Sequence, residues 1–185
     1  MNVWFTSDHH LRHKFVSGLR QFGQVDQHDE TLLDLHNSVV GKRDSVWFLG
    51  DFTLGPIEGC GEWLERANGR KHLILGNHDR GFPAMSGWHR QQRRYWQWFE
   101  SVSMFGQRKV GDTKVLLSHF PYRDDRGDPR YTQFRLADHG MWLLHGHTHK
   151  AEQRFHDHHE IHVGLDAWDF KPVSVDTIGD IIRSH

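Results

Sequence analysis

Five short apolar runs in the sequence are each followed at once by side chains that can bind a metal ion. These side chains are Asp8 and His10, Asp51, Asn77 and His78, His119, and His147 and His149. All are carboxylate, carboxamide or imidazole groups, a donor set that suits Mn²⁺, Fe, Zn²⁺ or Ni²⁺ rather than Cu(I) or an iron–sulfur cluster. The chain has 18 histidines. Even so, donors at five successive run ends are hard to obtain from scattered surface histidines.

The number of donors exceeds what one four- or six-coordinate ion needs while leaving room for a substrate. It suits two ions about 3.5–4 Å apart that share a bridging carboxylate. Two adjacent cations lower the pKa of a shared water and neutralise two phosphate oxygens during an in-line displacement. Phosphoester hydrolysis needs both effects at once, so the residues alone indicate a two-metal phosphoesterase.

The apolar runs have the length and composition of buried strands. We predict strands over 3–5, 45–50, 71–76, 114–118 and 141–146. Helical patterns lie between the early runs, over 29–40 with Asp29 as the cap, over 59–69 and over 87–100. This alternation favours a parallel or mixed sheet covered by helices. Such sheets build their sites beyond the C-terminal ends of the strands, which is where the donors lie.

The later part of the chain has a different organisation. Residues 105–119 predict a hairpin, 160–166 and 171–175 predict two further strands, and 176–184 predicts a closing helix. The polar stretch 120–135 predicts a long loop at the rim of the site.

The motifs resemble those of the calcineurin-like metallophosphoesterases. They occur in the family's order, as Asp8-x-His10, Gly50-Asp51, GNHD at 76–79, His119 and GHTH at 146–149. The stretches FTSDHHLRH (5–13) and VGLDAWDFKPVS (163–174) resemble a small bacterial and bacteriophage branch that includes phosphodiesterases of cyclic nucleotides. The resemblance implies an α/β (α+β) fold, a two-sheet sandwich flanked by helices, with residues 1–185 forming one domain and the site at the C-terminal strand ends.

The resemblance also implies a role for each residue. Asp8, His10 and His149 would hold one ion, Asn77, His119 and His147 would hold the other, and Asp51 would bridge the two. His78 would reach the scissile phosphate as an acid–base group, and Asp79 would orient the His78 ring or, alternatively, cap a loop. Gly146 would let the backbone turn before His147.

Other residues carry weaker signals. His13 and Arg123 are candidate substrate contacts, with a packed or surface role as the alternative. His9 is expected to point away from the site and His145 to lie in the interior. A histidine-rich stretch over 155–162 is expected to be a solvated turn rather than an extra metal site. Its histidines are His156, His158, His159 and His162.

Composition narrows the class of protein. A formal net charge of −1 disfavours long nucleic acid as a ligand, so the expected partner is a small phosphodiester or nucleotide. Cys60 is the sole cysteine, which excludes an intrachain disulfide and a thiolate zinc site. No apolar run approaches the ~20 residues of a membrane span, and no signal-peptide pattern opens the chain. We therefore expect a cytoplasmic protein, with its oligomeric state left open.

The expected function is hydrolysis of small, including cyclic, nucleotide phosphodiesters by in-line attack of a bridging hydroxide. The expected cofactors are two divalent ions, Mn²⁺ first, with Fe, Ni²⁺ and Zn²⁺ as alternatives. A nuclease, a phosphomonoesterase or a protein phosphatase could use the same chemistry, although a nuclease would be expected to carry a basic groove. A non-enzymatic metal-binding scaffold would be marked by a lost ligand, and no ligand position is lost.

Overall fold

A computed structural model describes residues 1–123, 130–151, 155–156 and 159–185. Within those residues the chain forms two five-stranded sheets flanked by five α-helices. The strands are β1 (Val3–Thr6), β2 (Ser45–Leu49), β3 (Arg70–Ile74), β4 (Ser101–Ser103), β5 (Phe105–Val110), β6 (Thr113–Ser118), β7 (Trp142–His145), β8 (Phe155–His156), β9 (Glu160–His162) and β10 (Val173–Ser174). The helices are α1 (Lys14–Leu19), α2 (Val25–Val39), α3 (Gly61–Arg66), α4 (Trp88–Tyr95) and α5 (Val175–Arg183).

The first sheet has the strand order β10-β1-β2-β3-β4, with β1 to β4 parallel and β10 antiparallel to β1. Helices connect the parallel strands and return the chain to the same end of the sheet, as the alternation of runs predicts. The second sheet has the order β5-β6-β7-β9-β8. It begins with the predicted hairpin and continues with β6, β7 and β9 in parallel.

The first sheet is buried on both faces, which explains why its strands read as unbroken apolar runs. Phe48 and Leu73 pack on the helix side, in one core with residues of α2 and α3. Their neighbours Leu49 and Ile74 face the second sheet and pack in another core with residues such as Leu117. Successive residues at the C-terminal ends of β2 and β3 therefore stabilise different cores, and large apolar side chains are needed there on both faces.

The predicted strands, the hairpin and the closing helix are all confirmed, and the fold class is the predicted one. The capping role of Asp29 is wrong. Helix α2 begins at Val25 with Gln24 as its N-cap, while Asp29 accepts the Arg12 N–H at 3.0 Å from inside the helix. Helix α1 and strand β4 were not predicted, because each is too short to show a hydrophobic period.

The predictions of a long loop and of no membrane span can be compared with the structure only over the described residues. In the long loop 120–135, residues 124–129 lie outside the described residues, and Thr132–Phe134 form one turn of 3₁₀ helix. Within the described part of the chain, no helix is long and apolar enough to cross a membrane. That residues 1–185 form one domain stays a prediction.

Candidate metal centre

The predicted ligands follow strands of both sheets, and five of the seven adopt left-handed backbone conformations. Their φ angles lie between 49° and 74°, at Asp8, His10, Asp51, His147 and His149. Residues other than glycine rarely adopt such angles, and each costs about 1–3 kcal/mol. Aspartate and histidine are among the residues other than glycine that adopt this region most readily, so these turns can carry ligand side chains.

Asp8, His10 and His149 form the first group of donors. One ligand atom from each lies within 4.8 Å of the others. The Nε2 atoms of His10 and His149 face each other at 3.1 Å, and His149 Nε2 lies 3.8 Å from Asp8 Oδ1. The structure therefore brings together the three residues predicted for one ion.

Asp51, His119 and His147 form the second group, with ligand atoms again within 4.8 Å of one another. The side-chain oxygen of Asn77 lies 3.2 Å from His119 Nε2 and joins this group. These are the residues predicted for the other ion together with the predicted bridge.

Asp51 lies between the two groups. Its Oδ2 atom is 3.3 Å from His119 Nε2 in the second group and 3.7 Å from His10 Nε2 in the first. Its Oδ1 atom accepts the backbone N–H of His78 at 2.8 Å, which fixes the plane of the carboxylate. A buried carboxylate held in this position can contribute an oxygen to each group.

The charges of the metal-free centre follow from this packing. Burial alone would lower the pKa of His119, but the adjacent Asp51 carboxylate raises that pKa to about 9. Burial alone would raise the pKa of Asp51, but His119 and His10 hold it well below its usual range. The protein without metal therefore holds an Asp51–imidazolium pair, and a metal ion would take the place of the proton.

In two ligand histidines, the outer ring nitrogen, Nδ1, points away from the other donors. Each of these nitrogens has a hydrogen-bond acceptor that defines the tautomer. His119 Nδ1 donates to the Leu49 carbonyl at 2.8 Å, and His149 Nδ1 donates to Asp166 Oδ2 at 3.0 Å. A carbonyl or carboxylate oxygen can only accept, so Nδ1 carries a proton and Nε2 is the nitrogen that would bind an ion.

Arg20 and Asp166 were missed by sequence reasoning. Arg20 makes two hydrogen bonds to Asp166, at 2.8 and 2.7 Å, and also donates to the Asp8 carbonyl at 2.7 Å and the His9 carbonyl at 3.1 Å. Asp166 was available as a signal, because it is the last residue of the strand predicted over 160–166. Arg20 does not follow a predicted strand. Its role is recognised only from its contacts in the folded protein.

His78 lies at the open side of the centre. Its side chain is 40% exposed, and its Nε2 atom is 4.0 Å from Asp51 Oδ2. Its ring centroid lies 5.2 Å from that of His10. This position is accessible to a bound phosphate ester, whereas a purely structural histidine would be buried.

The contacts of Asp79 fit the alternative prediction, that it caps a loop. Its carboxylate accepts the backbone N–H groups of Gly76 at 2.8 Å, Asp51 at 3.0 Å and Phe52 at 3.0 Å. These bonds tie the turn after β3 to the turn after β2. They give Asp79 a structural reason to be present that needs no contact with the His78 ring.

The two candidate substrate contacts differ in position. His13 is the N-cap of α1 and accepts the Val16 N–H on Nδ1 at 3.4 Å. Its ring centroid lies 5.4 Å from that of His10, so it borders the centre. Arg123 is exposed and immediately precedes residues outside the described range. Contact of either residue with substrate stays a prediction.

Gly146 is required by space rather than by freedom to turn. The left-handed conformation belongs to His147, and Gly146 is not among the residues with positive φ. A Cβ atom at Gly146 would lie 1.9 Å from Ser7 Oγ and 2.6 Å from Asp8 Oδ2. The glycine lets β7 approach the end of β1 and so brings the two sheets' donors together.

The histidines outside the two groups of donors lie in different environments. His9 packs among Phe48, Phe52 and Trp63, away from the donors, as predicted. His145 is buried and donates from Nδ1 to the Gly146 carbonyl at 2.8 Å, also as predicted. The solvated-turn prediction is wrong for the last histidine of 155–162. His162 is buried in β9, 4.0 Å from Asp8, whereas His159 is exposed, and the side chain of His156 and all of His158 lie outside the described residues.

The donor chemistry fits a pair of divalent ions. Each group offers imidazole nitrogens and carboxylate oxygens without thiolates, and one carboxylate lies between the groups. Such ligands bind first-row divalent ions in general and do not discriminate among them.

The comparisons with known proteins agree with this geometry. The profile of the calcineurin-like phosphoesterase superfamily domain matches residues 1–164. The chain therefore belongs to the calcineurin-like phosphoesterase superfamily. It is similar to the Gene 66 protein of Mycobacterium phage L5, with 44% identity over 98% of this chain and 94% of that protein. It is 45% identical to the Gene 66 protein of Mycobacterium phage D29, over 90% of this chain and 89% of that one.

A solved structure supports the fold. A protein of unknown function from Aquifex aeolicus superposes with a TM-score of 0.76 at 23% identity, covering 97% of this chain and 98% of that one. At this identity the likeness concerns the fold alone. The two-sheet arrangement is thus shared with a protein of nearly the same extent.

Proposed function

We propose that this protein is a metal-dependent phosphodiesterase acting on small phosphodiesters, with nucleotides as the expected substrates. The observation that carries the proposal is the position of Asp51 between two groups of donors, one centred on His10 and His149 and the other on His119 and His147. Two divalent ions bound there would lower the pKa of a shared water and neutralise phosphate oxygens. Mn²⁺ is the first ion to test, with Fe, Ni²⁺ and Zn²⁺ as the alternatives.

Protein side chains would supply the proton and position the groups around the ions. His78, which is 40% exposed, would hold a proton near the leaving oxygen of a bound ester. The backbone of His78 is fixed by Asp51, and the turns on either side of the centre are fixed by Asp79. These contacts fix the backbone that carries His78 relative to Asp51.

A preference for diesters over monoesters is supported by charge. Among the described residues that line the cleft beside the centre, the one arginine is Arg20. Its side chain is 4% exposed and paired with Asp166. A monoester dianion would gain more from an additional free cation than a diester monoanion, so this lining favours the diester.

The test is hydrolysis of bis(p-nitrophenyl) phosphate and p-nitrophenyl phosphate by chelator-stripped protein reloaded with each ion. We expect hydrolysis that requires metal and is faster with the diester. No hydrolysis of either ester with any of the four ions would contradict the proposal, and faster monoester hydrolysis would contradict the diester preference.

His78→Gln offers a second test of the proposed chemistry. The variant should keep its metal content, because His78 belongs to neither group of donors. Its loss of rate should be largest for esters with poor leaving groups, which depend most on a proton. A loss equal for good and poor leaving groups would contradict a role in protonation.

A further inference from the structure

A cleft of about 490 Å³ opens directly beside the candidate metal centre. Its lining includes His10, His78 and His149, and also Phe15 and Leu19 of α1. The volume lies within the range of sites that hold small organic ligands. The cleft therefore joins the place of the phosphate to an apolar wall.

The apolar wall consists of side chains that a folded protein would ordinarily shield. Phe15 is 69% exposed and Leu19 is 67% exposed. They are four residues apart on one helix, so they share a face and form a continuous surface. The other face of the same helix is buried through Val16 and Ser17, so α1 already has its packing contacts without Phe15 and Leu19.

Helix α1 is held in place at both ends by residues that border the centre. At its start, His13 accepts the Val16 N–H. At its end, Arg20 donates to the carbonyls of Asp8 and His9 and pairs with Asp166. The exposed apolar pair therefore has a fixed distance from the donors, as a binding wall requires.

The charge of the cleft indicates which part of a ligand the wall would contact. Arg20 is paired with Asp166 inside the protein, and the α1 side chains that line the cleft between His13 and Arg20 are apolar. The cationic Lys14 is exposed at the outer rim beside Phe15. A second phosphate group would find little compensation in the cleft, whereas a planar apolar ring would cover Phe15 and Leu19.

We propose that Phe15 and Leu19 form a subsite for a planar aromatic ring of the ester, such as a nucleobase, and that they determine specificity. This proposal rests on the proposed function in that the phosphate of the ligand must lie at the metal centre. A base stacked on an aromatic side chain commonly contributes a factor of about five to one hundred in affinity, which sets the expected effect.

The test compares ligands that differ only in the ring. Metal-loaded protein is titrated calorimetrically with adenosine 5′-monophosphate and with ribose 5-phosphate. We expect the adenosine compound to bind about tenfold or more tightly, and Phe15→Ala to remove most of that advantage while leaving ribose 5-phosphate within about twofold. Leu19→Ala should remove part of the advantage, and Phe15→Tyr, which keeps the ring, should retain it.

Trp96→Ala is the matched control, because Trp96 is an aromatic residue 56% exposed that does not line the cleft. Equal binding of the two ligands by the wild type would overturn the proposal. So would an equal loss of both ligands in Phe15→Ala. Failure of the proposed function would instead appear as absent diester hydrolysis with the ring preference intact, so the two failures are distinguishable.

Discussion

The two groups of donors in the candidate metal centre are positioned by different kinds of contact. In the second group, the outer nitrogen of His119 donates to the backbone carbonyl of Leu49, and His119 is fully buried. In the first group, the outer nitrogen of His149 donates to the side chain of Asp166, and His149 is 33% exposed. Asp166 is in turn held by Arg20, which comes from a distant part of the chain.

The difference shows which half of the centre substitution can change. The carbonyl of Leu49 belongs to β2, so no side-chain substitution removes it and the fold itself orients His119. Asp166 and Arg20 are side chains, so the orientation of His149 can be altered while the fold is kept. We therefore expect the first group to be the adjustable half of the centre and the second group to be the fixed half.

The largest effect is expected from Asp51→Asn, because Asp51 is common to both halves. The substitution keeps an oxygen that can accept the His78 N–H but removes the charge placed between the groups. We expect ions to be lost from both halves and diester hydrolysis to fall about 10³-fold or more. Metal content by elemental analysis and the rate with excess metal are the measurements.

Asp112→Asn is the control for Asp51→Asn, since Asp112 is an exposed carboxylate in the β5–β6 turn. It should change neither metal content nor rate. Full activity of Asp51→Asn in excess metal would contradict the inference that the Asp51 carboxylate contributes a ligand to both groups of donors.

A smaller effect is expected from Gly146→Ala. The added methyl group would meet Ser7 Oγ and Asp8 Oδ2, both at the buried end of β1. Overpacking of this kind costs about 1–3 kcal/mol in the free energy of unfolding. Urea unfolding of the metal-free protein should show that loss, and metal analysis should show reduced metal content.

Gly59→Ala provides the comparison, because a Cβ atom at Gly59 has no neighbour within 4 Å. Its stability and metal content should match the wild type. If Gly146→Ala behaved like Gly59→Ala, the close approach of β7 to Asp8 would not be what the centre requires.

Asp166→Asn tests the adjustable half directly. Loss of a partner behind a ligating histidine commonly weakens metal binding about ten- to a hundredfold. We expect that loss in one of two phases when metal is titrated against a competing chelator, with the other phase unchanged. Equal weakening of both phases would contradict independent halves, and Asp112→Asn again serves as the control.

The sequence predicted the ligands because they follow strands. The C-terminal ends of parallel strands lie at the same edge of a sheet, whatever the strand order. Asp8, Asp51 and His119 could be found without knowledge of the register. Gly146 was also found, but for the wrong reason, since turning and close approach both favour glycine and only coordinates separate them.

The supporting residues could not be found in the same way. Arg20 and Asp166 are 146 positions apart, and nothing in either local sequence refers to the other. His162 was grouped with its exposed neighbours because they share a residue type, whereas the strand pairing of β7 with β9 buries it beside Asp8. Long-range pairing thus decides the roles that local pattern leaves open.

The smallest expected effect, taken per pH unit, is a pH dependence of metal binding in the fixed half. Asp51 raises the pKa of His119 to about 9 in spite of burial, so near pH 7 its ligand nitrogen carries a proton that an ion must displace. Displacing one proton makes the apparent affinity rise by at most tenfold for each pH unit up to about 9, and level off above that.

Asp166→Asn is the suitable background for this measurement, because its weakened first half leaves the tighter phase to report on the second. Chelator competition between pH 6.5 and 9.5 gives the affinity, and calorimetry in two buffers of different ionisation enthalpy counts the protons released. Proton release that falls to about half of its low-pH value near pH 9 would assign the displaced proton to His119. An affinity independent of pH would mean that His119 is already neutral in the metal-free protein, and the fixed half would then be held by hydrogen bonds rather than by the Asp51–imidazolium pair.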